Sequence, residues 1–365
     1  MPNVIRVAHF LHRIPPEYSG AALQALQLIP YIEEGGTIRN CVLAYTERPG
    51  RSQLEGGPPC TAVRIRRGVF GKLTQYLQLL LALWRTGAQV LHVHGYHRPI
   101  VLFGWVMRKR LVLKTTLFGV DDIASIRAKT PLDRYLVRKV ARVISLTKRL
   151  SEVNRRWAPD IYIPNGVDTM RFAPDRDPVA ARLAVGLPPE CAVFLYSGGD
   201  YSRKGFQELP GLWGRIRAQL SRFSPHLVVV GHFHVPDSLP WLQERLNGKD
   251  VTMVGRLVTD VPLWLAASDI FMCLSSEEGL PNSVLEAVCM NRFVLARRIP
   301  DTYNDILSGS NSVLVDEIDD RALQCLGEHL AANRHRRIDN QGIRERLDIR
   351  RIAGQYGTLY RTLVA

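Results

Sequence analysis

Short apolar runs of strand length alternate with helical patterns along this chain in two separate series, and that alternation limits the possible folds more than any other feature. The first series runs VIRVAHFL, NCVLAY, VLHVHG, RLVLKTTL and VARVISL, with the helical stretch ALQALQLIPYIEEGG after its first member. The second begins beyond residue 190 with AVFLYSGG and continues through LVVVGHF, VTMVGRL, DIFMCLS and RFVLARR. Strands without polar alternation are buried on both faces, as happens when helices cover a parallel sheet. Two such series predict two doubly wound α/β domains. Between them lies IYIPNGVDTMRFAPD, whose prolines and Asn-Gly are turn chemistry and mark a hinge. The sequence therefore predicts one domain over residues 1–165, a second over 166–345, and an amphipathic final helix over 346–365 able to cross back to the first.

A composition of 46% hydrophobic and 22% charged residues is that of a globular protein. The six cysteines show no Cys-x-x-Cys pair and no metal spacing, so they read as small apolar residues in a reducing compartment. The start, MPNVIRVAHFLHRI, enters a strand without the pattern of a signal peptide. The longest apolar stretches, LQLLLALW and PIVLFGWVM, fall short of the roughly 20 residues that span a bilayer. The expectation is a cytoplasmic protein. Its charge is unevenly placed: residues 1–168 carry 25 Lys and Arg against 11 Asp and Glu, whereas the remainder is balanced at 23 against 23. The whole surplus sits in the first half, which points to an anionic partner there.

In EEGLPNSVLEA, residues 277–287, two acidic residues precede a Gly-Leu-Pro break, a short apolar run and another glutamate. Pro281 reads as a helix start, since its fixed φ is already helical and its missing N–H would have had no partner. Val284, Leu285, Val288 and Cys289 form an apolar face, with Asn282, Ser283 and Glu286 on another. Unpaired N–H groups at a helix start suit a phosphate, and carboxylates beside it accept bonds from sugar hydroxyls. Ordinary solvated acidic residues would leave the same pattern, so the pair needs support from the rest of the chain.

Two further loops follow strands. In HRIPPEYSGAALQALQL, Ser19 and Gly20 precede a helix and offer close backbone approach to a phosphate; in YSGGDYSRKGFQEL, Gly198 and Gly199 end a strand before Arg203 and Lys204. Adjacent cations after a glycine turn suit a diphosphate, with Arg as a bidentate fork and Lys as a point charge. Neither a G-x-G-x-x-G nor a P-loop is present, which counts against a dehydrogenase or a P-loop NTPase.

In order and separation, IPNGVDTMRFAPD, GGDYSRKGF, VGRL and EEGLPNSVLEA resemble the family 4 glycosyltransferases. The resemblance covers nearly the whole chain, and the second half carries its specific part. It implies the GT-B fold, two Rossmann-like domains facing across a cleft, and a retaining transferase that uses a nucleotide-sugar donor without a metal or other cofactor. It places Glu278 near the donor sugar and Glu286 on the ribose, with Arg203 and Lys204 neutralising the diphosphate. Gly279, Leu280, Pro281 and Asn282 make the turn and helix start, and the Gly255-Arg256-Leu257 loop borders the base. Two stretches depart from the family pattern. KTTLFGVDD has Phe118 where many members have a histidine, which leaves His94, Asp121 or Asp122 as first-domain contacts. NRFVLARRIPDTYNDIL replaces the usual small-residue segment after the helix.

The acceptor is expected at a membrane. RRGVFGKLTQYLQLLLALWR sets Arg66, Arg67, Lys72 and Arg85 beside Phe70, Tyr76 and Trp84, and further cations follow in WVMRKR and DRYLVRKVAR. Basic residues beside an amphipathic aromatic helix suit an anionic bilayer surface, although LQLLLALW is equally the pattern of a helix packed on a sheet. The sequence thus predicts a cytoplasmic, peripherally membrane-bound glycosyltransferase with a glycan or lipid-linked acceptor and no nucleic-acid partner. Two other classes fit the same motifs: a non-catalytic GT-B-like polyanion-binding protein, and a sugar-nucleotide epimerase.

Overall fold

The structure is a computed structural model, and the residues described are 4–14, 20–47, 57–256, 258–303, 306–317, 319–333 and 338–365. The chain forms two compact units, Met1–Gly166 with Leu347–Ala365, and Val167–Arg346.

The first unit is built on a parallel sheet of seven strands: β1 (Ile5–Leu11), β2 (Ile38–Thr46), β3 (Cys60–Arg64), β4 (Val90–His94), β5 (Arg110–Thr115), β6 (Arg142–Ser145) and β7 (Asp160–Tyr162). Their spatial order is β3-β2-β1-β4-β5-β6-β7. One face packs Phe10, Leu43, Leu91 and Leu113 against a helical layer that includes Leu79 and Leu83 of helix Val69–Arg85 and Ile100 of helix Arg98–Val106. The other face packs Val7, Val90 and Val112 under Leu28 and Ile32 of helix Gly20–Glu33 and under Ile352, Tyr356 and Tyr360 of the last helix, Ile349–Val364. Full burial of each such side chain contributes about 1.5–3 kcal/mol, so the last helix is held as part of this core. Asp348 caps it, accepting from Arg350 N at 2.9 Å. A Cβ on Gly166 would stand 3.0 Å from Ile349 Cα, so only glycine lets the outgoing chain lie this close to the returning helix.

The second unit carries six parallel strands: β8 (Ala192–Ser197), β9 (Pro225–Val230), β10 (Val251–Met253), β11 (Ile270–Cys273), β12 (Phe293–Arg297) and β13 (Ser312–Val315). Their order is β10-β9-β8-β11-β12-β13. Phe194, Trp213, Leu227, Met272 and Leu295 make its core. In both sheets the chain order reverses beside a central strand, where α/β sheets bind ligands at the carboxyl ends. The segment read as a hinge begins with a strand, since Asp160–Tyr162 pairs with β6.

Candidate active site

Three loops meet at the carboxyl ends of β8 and β11. The loop after β8 turns through Gly198 and Gly199 and delivers Arg203 and Lys204 on a 3-10 turn that ends at Gly205, with φ of 71°. A Cβ on Gly205 would lie 2.6 Å from the carbonyl oxygen of Leu274, so the left-handed turn lets this loop press against the end of β11. Gly198 and Gly199 are explained in the same way. A Cβ there would meet Tyr196 Oη at 2.7 Å and the His232 carbonyl oxygen at 2.5 Å. These glycines bring protein segments together, while Gly20 has nothing within 4 Å of its Cβ position and its approach stays open.

The result is a charge cluster. Lys204 Nζ lies 2.5 Å and Arg203 Nη1 3.2 Å from the same Glu278 oxygen, and Arg203 Nη1 also donates to the Glu277 carbonyl at 3.2 Å. Ser276 N donates to the Arg203 carbonyl at 2.8 Å, which fixes the register of the two loops. Helix Asn282–Cys289 starts one residue later than expected, with Pro281 as its extended N-cap residue. Val284, Leu285 and Val288 are buried, and Glu286 stands on the flank with Asn282 and Ser283. Burial pushes the Glu286 carboxyl up to about 7, against the pull of Arg171. The arrangement thus offers two cations, a helix start and two carboxylates. Gly255 adopts φ of 60° beside Leu239, and the Arg256 carbonyl accepts from Gly231 N at 3.3 Å, so this loop packs on the end of β9. Leu257, Ser19, and Asn304 and Asp305 of the altered segment lie outside the described residues.

The first unit presents different groups from those expected. His94 is buried, its Nε2 3.1 Å from His9 Nδ1, and so faces the interior. Asp121 accepts from the backbone N–H groups of Thr116 and Leu117 and from Thr116 Oγ1 at 2.7–3.0 Å, which closes the TTLFG loop on itself. Asp122 caps helix Ile123–Lys129. Phe118 is exposed, with the Arg149 guanidinium 3.7 Å over its ring. His12, which sequence reasoning passed over, sits beside Gly95: a Cβ there would lie 3.5 Å from His12 Nε2 and 3.9 Å from Asp121 Oδ2. A histidine one residue past the first strand was the available signal.

A model of the family described as Glycosyl transferases group 1 matches residues 191–331, the stretch that carries Arg203, Lys204, Glu278 and Glu286. This stretch is similar to a group 1 glycosyl transferase domain. Outside it the likeness to known proteins is weaker but longer. The chain is 27% identical over 212 residues to the lipopolysaccharide core biosynthesis mannosyltransferase LpsB of Rhizobium meliloti, covering 55% of this chain and 58% of that protein. It is 24% identical over 303 residues to the lipopolysaccharide core biosynthesis glycosyltransferase LpsE of the same organism, covering 81% of each. D-inositol 3-phosphate glycosyltransferase 2 of Catenulispora acidiphila is 26% identical, and the chain spans 58% of it. Among solved structures, sucrose-phosphate synthase from Thermosynechococcus elongatus superposes with a TM-score of 0.76 at 20% identity, covering 99% of each chain. Anabaena HepE, solved with UDP and glucose, gives 0.76 at 15% identity over 98% of this chain and 100% of that one. The fold around the glycosyl transferase domain is GT-B.

Proposed function

We propose that this chain is a retaining glycosyltransferase that moves a sugar from a nucleotide-sugar donor to a glycan or lipid-linked acceptor in cell-surface polysaccharide or lipopolysaccharide assembly. The observation that carries the reading is the convergence of Arg203 and Lys204 on Glu278 at the start of helix Asn282–Cys289. A leaving nucleotide diphosphate gains negative charge as the glycosidic bond breaks, and cations already gathered at that point stabilise it without reorganisation. Glu286 on the flank suits a ribose hydroxyl, and Glu278 lies where the donor sugar would follow. Arg203, Lys204 and the helix start supply positive charge that other enzymes take from a metal, so the transfer needs no metal and no cofactor beyond the donor. The lipopolysaccharide roles named for LpsB and LpsE, and the UDP and glucose bound by HepE, agree with this substrate class.

The acceptor belongs to the first unit, which carries the positive surplus. No helix among the described residues is long and apolar enough to cross a membrane. A peripheral position on an anionic cytoplasmic face is the reading supported by helix Val69–Arg85, whose outer side exposes Phe70, Leu73, Leu77 and Trp84. The test of the function is a binding and transfer assay on purified protein with a panel of nucleotide sugars, uridine-based donors first. Absence of binding to every nucleotide diphosphate would end this reading, and an epimerised free donor would replace transferase by epimerase.

A further inference from the structure

Three histidines lie together in the interior of the first unit. His9 and His92 are register partners on adjacent strands β1 and β4, and His94 follows two residues on, so the pleat directs all three rings to one face of the sheet. One nitrogen from each can be chosen so that all three atoms lie within 4.8 Å of one another. The rings are 0–4% exposed, and those of His92 and His94 stack with centroids 4.1 Å apart.

The bonds on the far sides of the rings set which nitrogens are available. His9 Nε2 lies 2.9 Å from Asn40 Oδ1, while Asn40 Nδ2 donates to Glu33 Oε1 at 3.2 Å, which fixes the amide and makes its oxygen the acceptor. His9 therefore carries its proton on Nε2 and turns the lone pair of Nδ1 toward His94 Nε2, 3.1 Å away. His92 Nδ1 lies 2.7 Å from Tyr360 Oη; in the tautomer that carries its proton on Nδ1, Nε2 is left with a lone pair. Among the described residues His92 Nε2 has no hydrogen-bond partner, and neither has His94 Nδ1. A buried polar atom left without a partner is destabilising, so a site that satisfies one of them has a reason to exist. For His9 and His92 an oxygen stands on the outer side of the ring, which is how proteins orient histidine ligands; His94 would have to give up the Nε2 proton it shares with His9 to join them.

We propose that His9, His92 and His94 form a metal site in the first unit, built for a zinc-class dication. Neutral imidazoles suit zinc, cobalt, nickel and copper and disfavour magnesium and calcium, which take oxygen ligands. Zinc held at about 2.0–2.1 Å by nitrogen in a tetrahedron sets its ligand atoms roughly 3.4 Å apart. The His9–His94 pair stands near that spacing at 3.1 Å, and the three ligand atoms together lie within 4.8 Å of one another. Lys114 is on the same face, where its Nζ donates to Asn165 Oδ1 at 3.0 Å. The ion would tie β1 to β4 and, through Tyr360, to the last helix. Its role is structural and separate from sugar transfer. Because the rings are enclosed, the metal enters as the chain folds.

The experiment refolds tag-free full-length protein from denaturant after EDTA treatment, with Zn2+, Co2+ or Mg2+ present, followed by gel filtration. The expected outcome is one retained equivalent of Zn2+ by elemental analysis and a higher Tm than in the EDTA sample. Co2+ should give the intense visible bands of a low-coordinate site, and Mg2+ should not be retained. His232→Ala/His234→Ala removes an exposed histidine pair in the second unit and should keep the metal, whereas His92→Gln should lose it. The wild-type cobalt spectrum decides the matter even where His92→Gln fails to fold. Substoichiometric metal in the refolded wild type, or metal lost with the His232/His234 pair, overturns the site and leaves three hydrogen-bonded core imidazoles.

Discussion

Glu278 holds both Lys204 and Arg203 on one carboxylate oxygen, at 2.5 and 3.2 Å, and so keeps two cations from a separate loop at the start of helix Asn282–Cys289. The Lys204 and Glu278 side chains are 23% and 11% exposed, so the contact is partly shielded from solvent. An incoming diphosphate would take over Lys204 while Glu278 still limits where it can swing. Removing the ammonium leaves developing charge uncompensated. Lys204→Ala should lower kcat/KM by about 2–4 kcal/mol, the range for loss of one electrostatic donor, with most of the change in kcat. Steady-state kinetics on a working donor check it, and wild-type kinetics would make the cluster purely structural.

Glu286 gives a pH-dependent prediction. Its folded pKa, about 7, stands above the ordinary 4.5 because of burial. The sign for stability is that the contribution is complete below about 4.5 and is lost as pH rises through 7. Donor binding runs the other way, since a ribose hydroxyl donates best to the ionised carboxylate. Affinity for a nucleotide sugar should therefore rise several-fold from pH 6 to 8, and Glu286→Gln should bind more weakly with a flat profile. The sugar diester is the right probe because it has no ionisation in this window. Calorimetric titration at three pH values is enough, and a wild-type profile as flat as that of the variant would remove Glu286 from the donor site.

Asp133 ties two helices of the first unit. It accepts from Arg98 Nε at 2.7 Å and Nη2 at 2.6 Å, from Tyr96 Oη at 2.5 Å and from Thr130 Oγ1 at 2.7 Å. Burial alone would raise its pKa, but these donors prevail and hold it down at about 2. Stability from this group is present above the unfolded value of 3.8 and is lost as pH falls through 2. Asp133→Asn should cost about 2 kcal/mol at pH 7 by urea unfolding, and the cost should shrink toward zero near pH 2. A constant difference across that range would show that packing, and not charge, sets the effect.

Strands buried on both faces were plain in the sequence, because VIRVAHFL, VLHVHG, AVFLYS and LVVV have no polar alternation to confuse with a helix. The strands that escaped, β3, β7 and β13, are all at sheet edges, and β7 spans only Asp160–Tyr162. An edge strand pairs on one side and is half exposed, so its apolar signal is short and interrupted. The meeting of Arg203 and Lys204 with Glu278 was legible because these charged residues occur in fixed local groups. First-unit contacts were not, since Asp121 is consumed by its own loop and His94 by a neighbouring strand. Those are long-range outcomes that spacing does not encode. The fate of LQLLLALW was also undecidable from spacing, because its residues divide between two faces: Leu79 and Leu83 pack on the sheet, while Leu77 and Trp84 face out.

That outward stripe carries the last prediction. Val69 and Phe70 are 83% and 84% exposed, and Leu73, Leu77, Leu81 and Trp84 continue the line at helical spacing. Large apolar side chains in a row on a free helix face are costly in water unless something covers them. Arg66, Arg67, Lys72 and Arg85 accompany the stripe. Helix Arg98–Val106, in the same layer, is followed directly by Arg108, Lys109 and Arg110. Apolar groups at the acyl boundary with cations at the headgroups is the division of labour expected on an anionic bilayer, each cation contributing about 1 kcal/mol. Leu73→Ser/Leu77→Ser should lower partitioning onto phosphatidylglycerol vesicles by about tenfold or more, with hydrolysis of a soluble donor unchanged. Lys72→Gln/Arg85→Gln should weaken binding at low salt and reduce its salt dependence. Trp84 reports the same event by a blue-shifted emission on anionic vesicles that is absent on neutral ones. Equal partitioning onto neutral and anionic vesicles, or none onto either, would place the acceptor in solution and require a protein partner for the stripe.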